Sequence, residues 1–214
     1  MDRREALSRV ALIFGGTIIG AEAFLSGCKT TPAKEGLFAP DDIALLDEIG
    51  DTILPTTASS PGAKAAQIGD FMKTIVTDCY TEDDQRVFTE GITKLNDAAK
   101  KKYDNSFMQL TPEQKTEFLT ALDKEAKDRG REIAERQSKM TEEEKHQAAL
   151  ARNAGTYKRD QKDDPHYFGM MKQLTVWGYF TSEVGATKAL RYVVVPTCYE
   201  GCIPYKKGDK AWAT

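Results

Sequence analysis

The N-terminal segment carries the residues whose types and order indicate covalent chemistry. Arg3 and Arg4 precede a moderately apolar stretch over residues 10–25, and the sequence Leu-Ser-Gly then leads into Cys28. Paired arginines before an apolar stretch are typical of a twin-arginine export signal, and small residues before a cysteine are typical of a lipoprotein cleavage site. We therefore predict that residues 1–27 are removed and that Cys28 becomes the lipid-modified first residue of the mature chain.

Two export routes are consistent with this leader. Ala6 stands where twin-arginine signals prefer phenylalanine, so an ordinary Sec lipoprotein signal is the alternative. The apolar stretch contains three glycines and Glu22, which suits a leader better than a spanning helix of about 20 predominantly apolar residues. Either route predicts a protein on the periplasmic side of the cell envelope, anchored to a membrane by the lipid on Cys28. The twin-arginine route further predicts export in the folded state, often with a cofactor or partner bound.

The remainder of the chain lacks the residue clusters that enzymes commonly use for catalysis. His146 lies in a polar region, and His166 precedes an apolar helical pattern, where we expect it to cap the helix. Motifs for zinc proteases, serine nucleophile elbows, paired Cys-x-x-Cys and covalent haem attachment are all missing from the sequence. The formal net charge of −3, with no basic stripe, argues against nucleic acid as a partner. We predict no catalytic residue, metal or cofactor in this chain.

Three cysteines remain beyond Cys28. Cys79 falls on the apolar face of a predicted helix, so we expect an inert buried thiol there. Cys198 and Cys202 could form a local disulfide across the turn between them, which an exported location permits. A mixed disulfide between Cys202 and a partner is the alternative. These thiols are too few for an iron–sulfur cluster, which as a rule needs four thiolates.

Hydrophobic periodicity predicts an all-α fold, a single domain of about five or six helices over residues 41–205. Residues 28–40 are expected to form a short lipidated tether, and residues 206–214 a polar tail. The clearest helical pattern begins at Ile68 and places apolar residues three and four positions apart through Cys79.

Capping signals define further helix starts. Thr111 with Gln114, and Thr141 with Glu144, have the spacing of capping boxes. Residues 123–165 are so polar that we predict a solvated helical excursion or a partly disordered lid. A partner-facing arm is the alternative for this region.

The C-terminal third resembles a known family. The residues that carry the resemblance are Leu174-Thr175-Val176-Trp177-Gly178-Tyr179-Phe180-Thr181-Ser182, Gly185, Ala189-Leu190-Arg191-Tyr192, Pro196, Tyr199, Gly201-Cys202 and Pro204. Together with the leader and a helix that ends in Leu54-Pro55, they look like the gluconate 2-dehydrogenase subunit 3 family. The resemblance covers nearly the whole mature chain and is weakest over residues 123–165.

The resemblance implies a small, noncatalytic helical subunit. In this family the small subunit accompanies a large flavin-containing (GMC-type) dehydrogenase that oxidises a sugar or sugar acid, so FAD is expected in the partner. A cytochrome c subunit or another acceptor takes the electrons. The small subunit carries the export signal, and the large subunit can travel with it already folded around its flavin.

The C-terminal segment is also the best candidate for a partner interface, since Tyr and Trp are enriched at binding hot spots. The candidate residues are Trp177, Tyr179, Tyr192, Tyr199, Cys202, Tyr205 and Trp212. Tyr199, Tyr205 and Trp212 lie outside any helical periodicity, which favours partner contact. For Trp177, Phe180 and Tyr192 the alternative is that they fill the core of the domain itself.

Two other functions stay open on the sequence alone. The chain could be a stand-alone envelope lipoprotein that binds a ligand or scaffolds a complex. It could also be a self-sufficient enzyme, although the scarcity of histidine and the missing motifs argue against that reading. A neighbouring gene for a large flavoprotein without its own signal peptide would favour the accessory subunit, and a solitary gene would favour the lipoprotein.

Overall fold

Helices account for all of the regular structure in the computed structural model, which describes residues 36–195, 197–198 and 201–213. The described residues contain two isolated β-bridges and no strand, and they form one compact unit. The all-α prediction is therefore confirmed. The six α-helices of this part of the chain are α1 (Pro40–Ile53), α2 (Ile68–Cys79), α3 (Glu82–Tyr103), α4 (Pro112–Ser138), α5 (Glu142–Asn153) and α6 (Tyr167–Thr181).

Local capping explains where several helices begin. The hydroxyl oxygen of Thr111 accepts the amide N–H of Gln114 while the Gln114 side chain accepts the N–H of Thr111, and Thr141 exchanges the same pair of bonds with Glu144. Each exchange satisfies backbone donors that a helix start leaves unpaired. His166 caps α6 through its Nδ1, which accepts the N–H of Phe168 at 3.3 Å. All three predicted caps are confirmed.

Helix α6 lies at the centre of the domain and packs against α1, α2, α3 and α4. Its buried residues lie on one face that covers about half of its circumference, and the opposite face still carries the apolar side chains of Val176, Trp177 and Phe180. The buried residues of α6 are Phe168, Met170, Met171, Leu174, Thr175, Gly178 and Tyr179. The core of the domain is consequently built around this helix.

Two glycines allow neighbouring helices to approach α6 closely. A Cβ atom at Gly91 on α3 would lie 2.3 Å from the Cβ of Tyr167, and one at Gly178 would lie 2.5 Å from a ring carbon of Phe71 on α2. Both distances are far below van der Waals contact, so only glycine fits at either position. The Tyr167 Cβ is fixed to the backbone and cannot rotate away, which makes the contact at Gly91 the less adaptable one.

The polar region between residues 123 and 165 is largely helical. Helix α5 buries no residue, and the segment that follows it is held by ion pairs. Asp164 accepts from Arg86 Nη2 at 2.7 Å and from Arg159 Nε at 2.9 Å, and Arg159 Nη1 also donates to Asp84 at 2.6 Å. Two arginines and two carboxylates therefore fasten this segment to the start of α3.

The prediction of a buried Cys79 is wrong. Cys79 is the last residue of α2, and its side chain is exposed. The buried part of that helix face ends at Val76, and Gln85 of α3 covers the carbonyls at the end of α2 without covering the Cys79 side chain. The last helical turn of the described residues ends at Ala189.

We expect alanine at Gly91 and alanine at Gly130 to change stability in opposite directions. Gly91→Ala forces its Cβ against Tyr167 and should destabilise by about 1–3 kcal/mol through overpacking. Gly130 lies inside α4, and a methyl group at this position would meet no atom within 4 Å, so Gly130→Ala should stabilise by about 0.5–1 kcal/mol. Urea unfolding followed by circular dichroism measures both. Equal effects of the two substitutions would contradict the packing described for α3 and α6.

Asp164 should make stability depend on acidity. Burial raises the pKa of the Asp164 carboxyl, but the hydrogen bonds from Arg86 and Arg159 lower it by more. A lowered pKa gives stability that is present above the ordinary carboxyl value of about 3.9 and is lost as the pH falls through the folded-state value. Asp164→Asn should therefore cost about 1.5–3 kcal/mol at pH 7, and its difference from wild type should shrink from about pH 5 to about pH 3.

The matched control for this substitution is Asp128→Asn. Asp128 pairs with Arg131 on the exposed side of α4, where an ion pair contributes little. Its substitution should change the unfolding free energy by less than about 0.5 kcal/mol. If the difference in unfolding free energy between Asp164→Asn and wild type stayed constant across this pH range, the charge of Asp164 would not be the source of the stabilisation.

Candidate partner interface

Exposed apolar side chains concentrate near the C-terminus. Twelve large hydrophobic side chains are exposed among the described residues, and ten of them lie between residues 176 and 212. Concentrated exposed apolar surface marks interaction sites more often than scattered single residues do. The ten, which we call the apolar C-terminal surface, are Val176, Trp177, Phe180, Tyr192, Val193, Val194, Val195, Ile203, Tyr205 and Trp212.

Helix α6 contributes the first part of this surface. Trp177 is 49% exposed, and its ring meets the ring of Phe71 edge to face, with centroids 5.4 Å apart and an interplanar angle of 76°. Phe180 packs in a similar way against Tyr179, with centroids 5.2 Å apart. Each of these aromatic rings is thus held by a neighbouring ring while it presents apolar surface to solvent. Rings held in this way lose little conformational freedom when a partner binds.

Tyr179 is a core residue, which corrects its assignment to the interface. Its side chain is 1% exposed, and its hydroxyl shares a hydrogen bond of 2.5 Å with the hydroxyl of Ser60. Tyr179 lies on the side of α6 that faces the other helices, whereas Trp177 and Phe180 lie on the side that faces solvent. A partner therefore cannot contact Tyr179 in this structure.

A tight turn directs the chain away from the end of α6. Residues Gly185–Ala189 form one π-helical turn, and a Cβ at Gly185 would lie 1.9 Å from the carbonyl oxygen of Tyr179. Ser182 Oγ accepts the N–H of Gly185 at 3.0 Å and donates to the Tyr179 carbonyl at 2.7 Å. Glycine at position 185 is thus required for the chain to leave α6 in this direction.

Residues 192–210, which we call the C-terminal loop, are closed at their base. The N–H of Arg191 donates to the carbonyl of Ala211 at 2.7 Å, and the N–H of Ala213 donates to the carbonyl of Arg191 at 2.9 Å. The Arg191 guanidinium lies over the Trp212 ring, 4.8 Å from its centroid. A cation–π contact and two backbone hydrogen bonds therefore fix both ends of this loop, in which Val193, Val194, Val195, Ile203 and Tyr205 are exposed to solvent.

The structure distributes the predicted interface residues unevenly. Tyr192, Tyr205 and Trp212 are exposed on or beside the C-terminal loop, and Tyr205 is 77% exposed. Cys198 and Cys202 are both exposed and free, so the local disulfide is not formed in this structure. The predictions for Arg3, Arg4, Cys28 and Tyr199 lie outside the described residues.

Sequence reasoning missed the valines of the C-terminal loop as interface residues. Val193, Val194 and Val195 are all exposed, and Val194 is 78% exposed. The available signal was a run of three β-branched residues outside any helix, in a chain with no predicted strand to pair with them. Arg191 was also missed, because its role depends on the distant backbone of Ala211.

The ionisable groups near the start of α6 are suited to structure more than to proton transfer. Burial lowers the pKa of His166, so the imidazole is neutral near pH 7 and can accept the helix-capping hydrogen bond. Burial raises the pKa of Tyr167 to about 12. In the part of the chain that is described, no three His, Cys, Asp or Glu side chains are grouped as metal ligands would be. No described helix is both long enough and apolar enough to cross a membrane.

Comparison with known proteins identifies the family. The model of the family described as gluconate 2-dehydrogenase subunit 3 matches residues 40–196, from the first residue of α1 into the C-terminal loop. Gly201, Cys202 and Pro204, which the resemblance included, lie beyond the matched range. Searches of the curated proteins and of the solved structures found no match. Because the match spans more than half of the 214 residues, this chain belongs to the gluconate 2-dehydrogenase subunit 3 family.

Proposed function

We propose that this protein is the noncatalytic small subunit of an exported, flavin-dependent dehydrogenase that oxidises a sugar or a sugar acid. Family membership supports an accessory subunit of a dehydrogenase complex. The observation that carries the proposal further is the apolar C-terminal surface, which holds ten of the twelve large hydrophobic side chains that are exposed in the described part of the chain. Exposed apolar surface of this kind promotes aggregation of a protein that stays monomeric in water, whereas a binding partner would cover it.

The make-up of this surface suits a protein partner. Trp177, Tyr192, Tyr205 and Trp212 are aromatic residues of the kinds that dominate binding energy at interfaces, and Arg191 adds a guanidinium beside them. The closed base of the C-terminal loop and the aromatic contacts of α6 order many of these residues before binding. Preorganisation of this kind lowers the entropy lost on association.

The leader gives the complex its route and its anchor in this proposal. A large subunit that folds around FAD in the cytoplasm, without a signal of its own, is exported while bound to this chain. The lipid on Cys28 then holds the complex at the membrane on the periplasmic side, where a cytochrome c subunit or another acceptor receives the electrons. The present chain supplies binding and transport, and the partner supplies the redox chemistry.

Replacement of Val194 by aspartate tests the interface. Val194→Asp places a charge on the apolar C-terminal surface without disturbing the core, so we expect about tenfold or greater loss of a co-purifying flavoprotein. The measurement is a tagged pull-down from detergent-solubilised membranes of the native host, read by mass spectrometry and by flavin absorbance. Met108→Asp is the control, since Met108 is an exposed apolar residue remote in sequence from this surface.

The wild-type pull-down decides between the proposal and its main alternative. A large flavoprotein in stoichiometric amount supports the accessory subunit. A lone, colourless lipoprotein would support the stand-alone binding or scaffold function instead. Equal recovery of the flavoprotein with Val194→Asp and with Met108→Asp would place the interface elsewhere on this chain.

Replacement of the paired arginines tests co-export. Arg3→Lys with Arg4→Lys should leave both this chain and the flavoprotein in the cytoplasm, because the twin-arginine route depends on that pair. Arg9→Lys changes an arginine of the same leader outside the pair and should leave export intact. Immunoblots of cytoplasmic and envelope fractions measure the distribution of both proteins. Normal delivery of the flavoprotein with the doubly substituted leader would contradict co-export.

A further inference from the structure

A cavity of about 320 Å³ lies among α5, the end of α4 and the segment that leads from α5 towards α6. Lys145, Arg152, Tyr157, Arg159 and Asp163 are among the residues that line it. Its volume falls at the lower end of the range for small-molecule sites, about 300–1,000 Å³. None of its lining residues belongs to the apolar C-terminal surface.

Positive charge predominates in this cavity. Lys145, Arg152 and Arg159 line it together with one carboxylate, Asp163, and that carboxylate already accepts from Arg136 Nε at 3.0 Å. Lys145 pairs with Glu142 at 2.6 Å, but Glu142 is 90% exposed, and exposed pairs of this kind are weak and readily exchanged. Arg159 is paired with Asp84 and Asp164, so among the described residues Arg152 is the cation of this cavity that no carboxylate neutralises.

Arg159 has hydrogen-bonding capacity that the described part of the protein does not use. Its Nη1 donates to Asp84 at 2.6 Å and its Nε to Asp164 at 2.9 Å, which fixes the plane of the guanidinium. Its Nη2 is buried and has no hydrogen-bond partner among the described residues. A buried donor left unpaired is costly, and such donors in native proteins usually pair with another protein group or with ordered water.

Arg152 also has N–H donors that no described residue is shown to accept. It lies over the Tyr157 ring, 4.5 Å from the centroid, and no carboxylate among the described residues forms an ion pair with it. Stacking on an aromatic ring holds the guanidinium plane and leaves its N–H edge free. Arg152 and Arg159 therefore both line one cavity with their orientation set by other contacts.

We propose that this cavity binds a small oxyanion, with Arg152 as the principal donor and with Arg159 and Lys145 as supporting charges. The guanidinium fork of Arg152 matches the planar geometry of a carboxylate or phosphate, which a lone lysine would not. The Tyr157 hydroxyl and the Gln137 amide, also at this cavity, can bond to hydroxyl groups of the same ligand. A polyhydroxylated carboxylic acid meets both requirements, and the choice of a sugar acid rests on the proposed function.

Calorimetric titration of the full chain, purified in detergent, tests this site. Sodium gluconate and inorganic phosphate are titrated at constant ionic strength, with glucose as the uncharged comparison. We expect heat of binding from an oxyanion and none from glucose. Arg152→Gln should weaken binding about tenfold or more, since it removes a charge-assisted contact.

Arg131→Gln is the matched control, because Arg131 is an exposed arginine of α4 that does not line the cavity. It should bind with wild-type affinity. Thermal unfolding confirms that each variant is folded, and Lys145→Gln provides a second test should Arg152→Gln fail to fold. Binding of phosphate without gluconate would support the site and assign it to free phosphate.

Three results would overturn the proposal: no binding of either oxyanion, equal binding of glucose, or unchanged affinity in Arg152→Gln. The titration uses this chain by itself and needs no flavoprotein. Failure of the pull-down would therefore leave a positive titration standing, and failure of the titration would leave the accessory-subunit proposal standing.

Discussion

The burial of α6 among four other helices is the constraint on which the rest of the structure depends. Glycines at positions 91 and 178 allow α3 and α2 to approach it, and the Tyr179 hydroxyl fixes its inner face to Ser60. The outer face of the same helix carries Trp177 and Phe180. Core packing and the candidate interface are consequently two sides of one helix, so a shift of the α6 axis would move both.

The two ends of the domain are stabilised in different ways. Around α6 the contacts are apolar, whereas α5 buries no residue and the segment after it is held by arginines paired with Asp84 and Asp164. Apolar packing tolerates changes of pH, and ion pairs do not. The polar end therefore responds to its ionic surroundings more readily than the apolar end, and it is also the end that contains the cationic cavity.

Local features of this fold could be predicted from the sequence, and features that depend on distant neighbours could not. The caps at Thr111, Thr141 and His166 were predictable because each involves residues two or three positions apart. Periodicity placed Cys79 on the apolar face of α2, but it could not show that burial of this face ends at Val76. The same limit applies to Tyr179, since an aromatic-rich helix does not reveal which of its rings another helix covers.

The candidate interface illustrates this limit further. The abundance of Tyr and Trp near the C-terminus was visible in the sequence, whereas the pairing of Arg191 with Ala211 joins residues with no shared pattern. The leader, the lipid on Cys28 and the flavoprotein partner stay predictions.

Closure of the C-terminal loop at its base separates its length from the stability of the helices. Once Arg191 is bonded to Ala211 and Ala213, residues inserted between them extend the loop without displacing α6. The entropic cost of a longer closed loop grows slowly, by about 0.6 kcal/mol for each doubling of length. The loop can therefore change in length at little cost to the stability of the helical body that carries it.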